Sequence, residues 1–197
     1  VVITAALSTG NPALGGTLTA TTNAGGLATF TNLSITGTVG ARTLLFTSPS
    51  LTQVVSGSVT TTAGAATQIA INAGNGQTAT VNTAVTTPLS VLVRDVSLNP
   101  VAGVSVTFGV ASGGGSILPV APVVTNASGI AALTSWTLGN LAGANSVTAT
   151  AAGLTGSPLT FTATGTAGAA AQLVIQTQPS AAAQSGVALA VQPAVRL

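Results

Sequence analysis

One carboxylate side chain, Asp95, is the whole acid–base inventory of this 197-residue chain, which has no Lys, Glu, His, Cys or Tyr and only three cations, Arg42, Arg94 and Arg196. General acid–base work needs such a group placed beside the reacting atom. Ser and Thr are abundant, but a hydroxyl nucleophile needs a neighbouring base, and the sequence offers none. Asp95 follows Arg94 directly, so on a strand the two side chains point to opposite faces. A turn beginning at Val96 presents backbone amides that Asp95 can accept from, which predicts a structural capping role. Zinc sites need Cys or His and calcium sites need several carboxylates. The sequence therefore predicts no enzyme, no catalytic or metal-ligating residue and no cofactor.

Three other motifs have bland readings. Gly113-Gly114-Gly115 could cradle a phosphate, but it follows a strand pattern and precedes neither a helix nor a Lys, so it reads as a loop. Asn32-Leu33-Ser34 and Asn126-Ala127-Ser128 are N-glycosylation tripeptides, which also arise by chance in Ser/Thr-rich chains, and Thr60-Thr61-Thr62 could carry O-glycans. The Thr arrays Thr17-Leu18-Thr19-Ala20-Thr21 and Thr160-Phe161-Thr162-Ala163-Thr164 could face ice or mineral, yet alternating Thr is ordinary solvent-facing strand sequence.

Composition narrows the partners. Charged residues make up 2% of the chain, against about 25% in ordinary soluble proteins. A net charge of +2 on scattered arginines forms no basic patch, so nucleic acid is not an expected partner. Mean hydropathy is +0.70, but Gly, Pro, Asn, Gln or Thr interrupts every apolar run before the roughly 20 residues a spanning helix needs. Four Phe and one Trp are too few for the aromatic girdles of a membrane barrel. No membrane insertion is expected. Without cysteine, stability must come from a packed core and backbone pairing.

The elements that must position these residues read as strands: short runs rich in Val, Thr, Ile and Phe, bounded by Gly, Asn and Pro. They are 68–73, 88–96, 104–111, 129–138, 145–152 and 159–166, with no helical period anywhere. Alternation places Val104, Val106, Phe108 and Val110 on one core face. It places Ile130, Ala132, Thr134 and Trp136 on one face of a single strand, with Ala131, Leu133 and Ser135 on the other. Trp136, the only tryptophan, is expected to pack between sheets or at a domain junction.

The chain also repeats itself. Asn23-Ala24-Gly25-Gly26-Leu27-Ala28 aligns with Asn126-Ala127-Ser128-Gly129-Ile130-Ala131 at an offset of 103 residues (126 − 23), and Ala63-Gly64-Ala65-Ala66 aligns with Ala167-Gly168-Ala169-Ala170 at 104 (167 − 63). A period near 100 residues is one domain length. The expected organisation is the C-terminal part of one domain over 1–66, a complete domain over 67–168, and the first strands of a third over 169–197. Mapped onto the complete copy, the two partial copies lack only positions 94 to 103. Joining head to tail with another copy would complete both, through a continuous array or through strand donation.

The run Pro88-Leu89-Ser90-Val91-Leu92-Val93-Arg94-Asp95, then Asn99-Pro100-Val101-Ala102-Gly103-Val104-Ser105-Val106-Thr107-Phe108, Gly113-Gly114-Gly115, Thr125-Asn126-Ala127-Ser128-Gly129-Ile130-Ala131, Trp136-Thr137-Leu138-Gly139 and Gly143-Ala144-Asn145-Ser146-Val147-Thr148-Ala149 resembles a bacterial immunoglobulin-like domain of the invasin and intimin type. The resemblance implies an all-β fold of tandem antiparallel sandwiches and a role in extracellular adhesins, stalks and surface fibres on the bacterial cell surface. It departs in charge, since such domains carry more acids and lysines. The strands also lack the charges that keep sheet edges apart, which favours packing against copies of itself. The expected function is a structural segment of a fibre or adhesin stalk. The alternative is a module whose end loops bind carbohydrate or a host surface.

Overall fold

The computed structural model describes residues 1–8 and 13–196. Among these there is no helix. Strands of the N-terminal segment are β1 (Val2–Leu7), β2 (Ala13–Gly15), β3 (Thr19–Thr21), β4 (Ser34–Thr36), β5 (Gly40–Arg42), β6 (Leu44–Thr47), β7 (Val54–Val55) and β8 (Val59–Thr61). The central segment contributes β9 (Gln68–Ala73), β10 (Gln77–Thr80), β11 (Ser90–Arg94), β12 (Ser105–Ser112), β13 (Ser116–Leu118), β14 (Val123–Val124), β15 (Ile130–Ala132), β16 (Ser135–Thr137), β17 (Gly143–Thr150) and β18 (Leu159–Thr166). A C-terminal hairpin consists of β19 (Val174–Thr177) and β20 (Ala194–Arg196).

The central segment is a β-sandwich. A five-stranded sheet of order β10-β18-β17-β12-β14 faces a three-stranded sheet β15-β11-β9 and the ribbon β13-β16. Period-two alternation supplies the interior: Val106 and Phe108 from β12, Val147 and Ala149 from β17, and Phe161 and Ala163 from β18 join Ile69, Val91, Val93, Ala131 and Trp136 in one buried cluster.

Three details differ from the sequence reading. First, 129–138 is two strands. Leu133 N–H still donates to the Leu89 carbonyl, but Thr134 N–H donates to Leu118, so the chain changes partner at Thr134. Burial shifts phase there: Ala131 and Leu133 are inside before the break, Trp136 and Leu138 after it, while Ile130 is only partly buried and Ala132 exposed. Second, Val110 is 38% exposed, because the β12–β17 ladder loses its regular register between Val110 and Ser112. Third, β10 pairs parallel with β18. The turn through Gly74 and Gly76, both at positive φ, carries the chain from the edge of one sheet to the edge of the other.

The N-terminal segment lays down the same ladders. Its pairs Thr4↔Thr47, Ala5↔Phe46, Ala6↔Leu45 and Leu7↔Leu44 become Thr107↔Thr150, Phe108↔Ala149, Gly109↔Thr148 and Val110↔Val147 when each number is raised by 103 (107 − 4). The pairs Val2↔Thr21 and Ile3↔Ala20 likewise become Ser105↔Val124 and Val106↔Val123. At one such pair the side chains exchange sizes, Ala5 with Phe46 in one and Phe108 with Ala149 in the other, so a large and a small residue share the layer in both. The turns match too: the Asn23 carboxamide accepts from Gly25 and Leu27, and that of Asn126 accepts from Ser128 and Ile130.

The hairpin repeats the central segment at an offset of 104 (174 − 70). Val174↔Arg196, Ile175↔Val195 and Thr177↔Ala194 correspond to Ala70↔Leu92, Ile71↔Val91 and Ala73↔Ser90, with the ladder irregularity in the same place.

Candidate functional site: the carboxylate junction and the open groove

Asp95 directly follows β11 and is buried at the boundary between the N-terminal and central segments. Its own loop is closed by Asp95 N–H donating to the Asn99 carbonyl and Leu98 N–H donating to the Asp95 carbonyl. One carboxylate oxygen accepts from the Ser97 and Asn99 amides at 2.8 and 2.9 Å. The other accepts from the Asn99 carboxamide and from Gly64 N–H, each at 2.9 Å. Gly64 lies in the stretch that joins the two segments, so the carboxylate reaches back across the boundary. Asn99 does the same: its carboxamide oxygen accepts from Val39 N–H and its nitrogen donates to the Gly37 carbonyl, both at 2.9 Å.

Burial alone pushes the Asp95 carboxyl upward, but the donors from Asn99, Gly64 and Ser97 outweigh it and hold the group below its ordinary value of 3.8. A carboxylate offers about four lone-pair directions, and here each takes an N–H donor. A cation would have to displace those donors, so the arrangement is that of an anion clamped by amides. A cavity of about 210 Å³ adjoins it, lined by Ile35, Thr36, Thr61 and Thr62 from one side and Asp95, Ser97 and Asn99 from the other.

Asn99, Gly37 and Val39 carry half of this junction and were not singled out from sequence. The Leu98-Asn99-Pro100 run signals a turn, but nothing local says that its carboxamide meets a loop 60 residues earlier. Phe108 and Trp136, the other residues marked as structural, lie in the core of the central segment. The indole of Trp136 is fully buried, and its N–H has no partner among the described residues. Asn126 is exposed in its turn, and the Asn32 carboxamide oxygen accepts from Thr17 N–H.

A second feature lies on the N-terminal segment. An apolar groove of about 360 Å³ is lined by Ile3, Ala28, Phe30, Phe46 and Val54, together with Thr22 and Gly26. Phe30 and Phe46 stack at 5.5 Å between ring centroids, tilted by 45°.

No family model matches the chain, and no curated protein matches it. Among solved structures it is similar to the D00-D0 domain of intimin, with 18% identity over 65% of this chain and 64% of that one and a TM-score of 0.39. It is similar to the Yersinia pseudotuberculosis adhesin InvE, with 18% identity over 84% and 48% and a TM-score of 0.40. It is also similar to FdeC, an Escherichia coli adhesin, with 23% identity over 83% and 54% and a TM-score of 0.42. The chain thus spans between about half and two thirds of the length of these structures. By its own ladders the chain is all-β among the described residues.

Proposed function

We infer that this chain is a structural segment of a bacterial extracellular fibre or surface-adhesin stalk. Immunoglobulin-like units stand in series in it, and a split unit is completed head to tail. The observation that carries this reading is the recurrence of the ladder registers at a near-constant offset on both sides of a junction clamped by Asp95 and Asn99. A stalk needs this combination of copied modules and a joint whose backbone donors are satisfied by fixed side chains. The scarcity of charge suits strand surfaces that pack against further copies.

Binding of carbohydrate by end loops has less support. Sugar platforms expose aromatic rings, whereas Trp136, Phe108 and Phe161 are core residues and Phe30 and Phe46 line the groove.

Negative-stain microscopy of the chain tests the stalk reading. Two beads in a line, spaced by roughly 3 nm as strands of about eight residues rising about 3.3 Å each require, support it. A single round particle overturns it.

A further inference from the structure

On the in-series reading above, we propose that Asp95 and Asn99 are the latch of an acid-opened hinge. A proton on the carboxylate lets the N-terminal segment swing against the central one while each keeps its ladders.

Little else holds the two segments together. Among the described residues no strand of one pairs with a strand of the other, and no side chain of residues 1–64 joins the buried core of the central segment. The link between them, residues 62–67, forms no strand. On the central side of the joint Val96 is 82% exposed, and a cavity of about 210 Å³ stands where the faces would pack. Among the described residues, three hydrogen bonds cross the joint: Gly64 N–H to the Asp95 carboxylate, Val39 N–H to the Asn99 carboxamide oxygen, and the carboxamide nitrogen to the Gly37 carbonyl. All end on Asp95 or Asn99, and those two side chains are bonded to each other. A few loop residues between two packed bodies are what a hinge requires.

Protonation strikes this latch at its centre. A neutral carboxyl puts an O–H donor where a lone pair was, and every partner of the Asp95 carboxylate is itself an N–H donor. A proton on Oδ2 displaces Gly64 N–H or the Asn99 carboxamide. A proton on Oδ1 displaces the Ser97 or Asn99 amide and opens the loop that aims Asn99 at Gly37 and Val39. The opposite side of the joint does not titrate: Arg42, from β5, spends its guanidinium on the Thr38, Val39 and Ala41 carbonyls and stays charged throughout. Arg94, the neighbour of Asp95 in sequence, is exposed, and the central core holds no ionisable side chain. Burial pushes the Asp95 carboxyl up, but the donors from Asn99, Gly64 and Ser97 outweigh it, so the latch is shut at neutral pH and opens as pH falls through a value below 3.8.

The absence of cysteine makes the test direct. Thr52→Cys and Thr160→Cys, both at exposed positions on opposite sides of the joint, take nitroxide labels whose separation is read by pulsed electron resonance. We expect one narrow distance peak at neutral pH, which broadens at about pH 2, well below the ordinary range of a carboxylate. Asn99→Ala, which removes two crossing bonds and no charge, should be broad in both conditions. Asp95→Asn, a permanently neutral amide, should be broad in both as well. Unchanged Trp136 emission in every sample reports that the central core is intact. Should a variant fail to fold, the unmodified sequence decides through its own acid arm. A broad peak at neutral pH, a peak that stays narrow in acid, or a narrow neutral-pH peak from Asp95→Asn overturns the latch. So does broadening that only accompanies a change in Trp136 emission, which is unfolding. Two beads in line with a peak that stays narrow in acid keep the stalk reading and discard the hinge alone. A single round particle discards the stalk reading, and the peak widths still judge the hinge.

Discussion

Phe46 and Ala149 hold the same place in the same ladder, yet Ala149 is sealed in a core and Phe46 lines an open groove. The central and N-terminal segments differ little in local sequence logic: turns, registers and alternation recur at offsets near 103, down to 101 for Ile35 against Trp136 (136 − 35). What separates them is the cover: β9 and β11 lie against the central segment, and among the described residues no strand pairs with residues 27–29. Apolar patterning along a strand therefore defines a face that could be buried. Burial itself comes from a partner supplied by another part of the chain, or by another chain.

That contrast can be attacked at matched positions. The largest effect is expected at Trp136, which fills the central core: Trp136→Ala should cost about 3–5 kcal/mol in urea unfolding. Its counterpart by ladder position, Ile35, is only partly buried, and Ile35→Ala should cost below about 2 kcal/mol, the low end for such a truncation. Equal costs would mean that the two segments are equally packed.

Gly129→Ala should cost about 2–3 kcal/mol, combining left-handed strain with the clash against Val93. Gly26→Ala meets only the strain, about 1 kcal/mol. Should the two glycines prove equally sensitive, the missing strand cannot be the difference between them.

Asp95→Ala orphans the Gly64 amide and the Asn99 side chain, at about 2 kcal/mol. The pH dependence follows from the depressed carboxyl. The unfolded chain binds this proton more readily than the folded one, so the contribution is complete above an ordinary carboxylate pKa and is lost as pH falls through the lower folded value. Stability should stay flat from pH 7 to about 5, where Asp is ionised and no histidine is present to titrate. It should fall below about pH 4, and Asp95→Ala should flatten that acid limb. Chelator-independent stability is expected as well, since N–H donors occupy the carboxylate. The smallest effect is at Leu98, which sits at φ 66°: Leu98→Gly should raise stability by at most about 1 kcal/mol by relieving the left-handed strain, seen as a shift of urea midpoint.

Much of this was legible in the sequence because it is local. A period of two gave the interior positions Val106 and Phe108, and Asn126 and Gly129 announced their turn. The run from Gly129 to Leu138 was misread as one strand because alternation continues across Thr134 without a Gly or Pro to mark the change of partner. Short strands such as β13 and β14 carry too few residues for a periodic signal. Asp95 was readable as the cap of its own loop, but its bond to Gly64 was not.

By itself, then, the sequence determined the strands, which of their faces could be buried, the near-absence of charge and the 103-to-104-residue offset, all properties of neighbours along the chain. Tertiary structure alone decided the exchange of partners at Thr134, the parallel course of β10, the clamp that joins Asp95 and Asn99 to the preceding segment, and the groove left open beside Ala28. Each of those depends on which distant strand lies opposite, and a strand carries the same hydrogen-bonding groups whichever partner it meets.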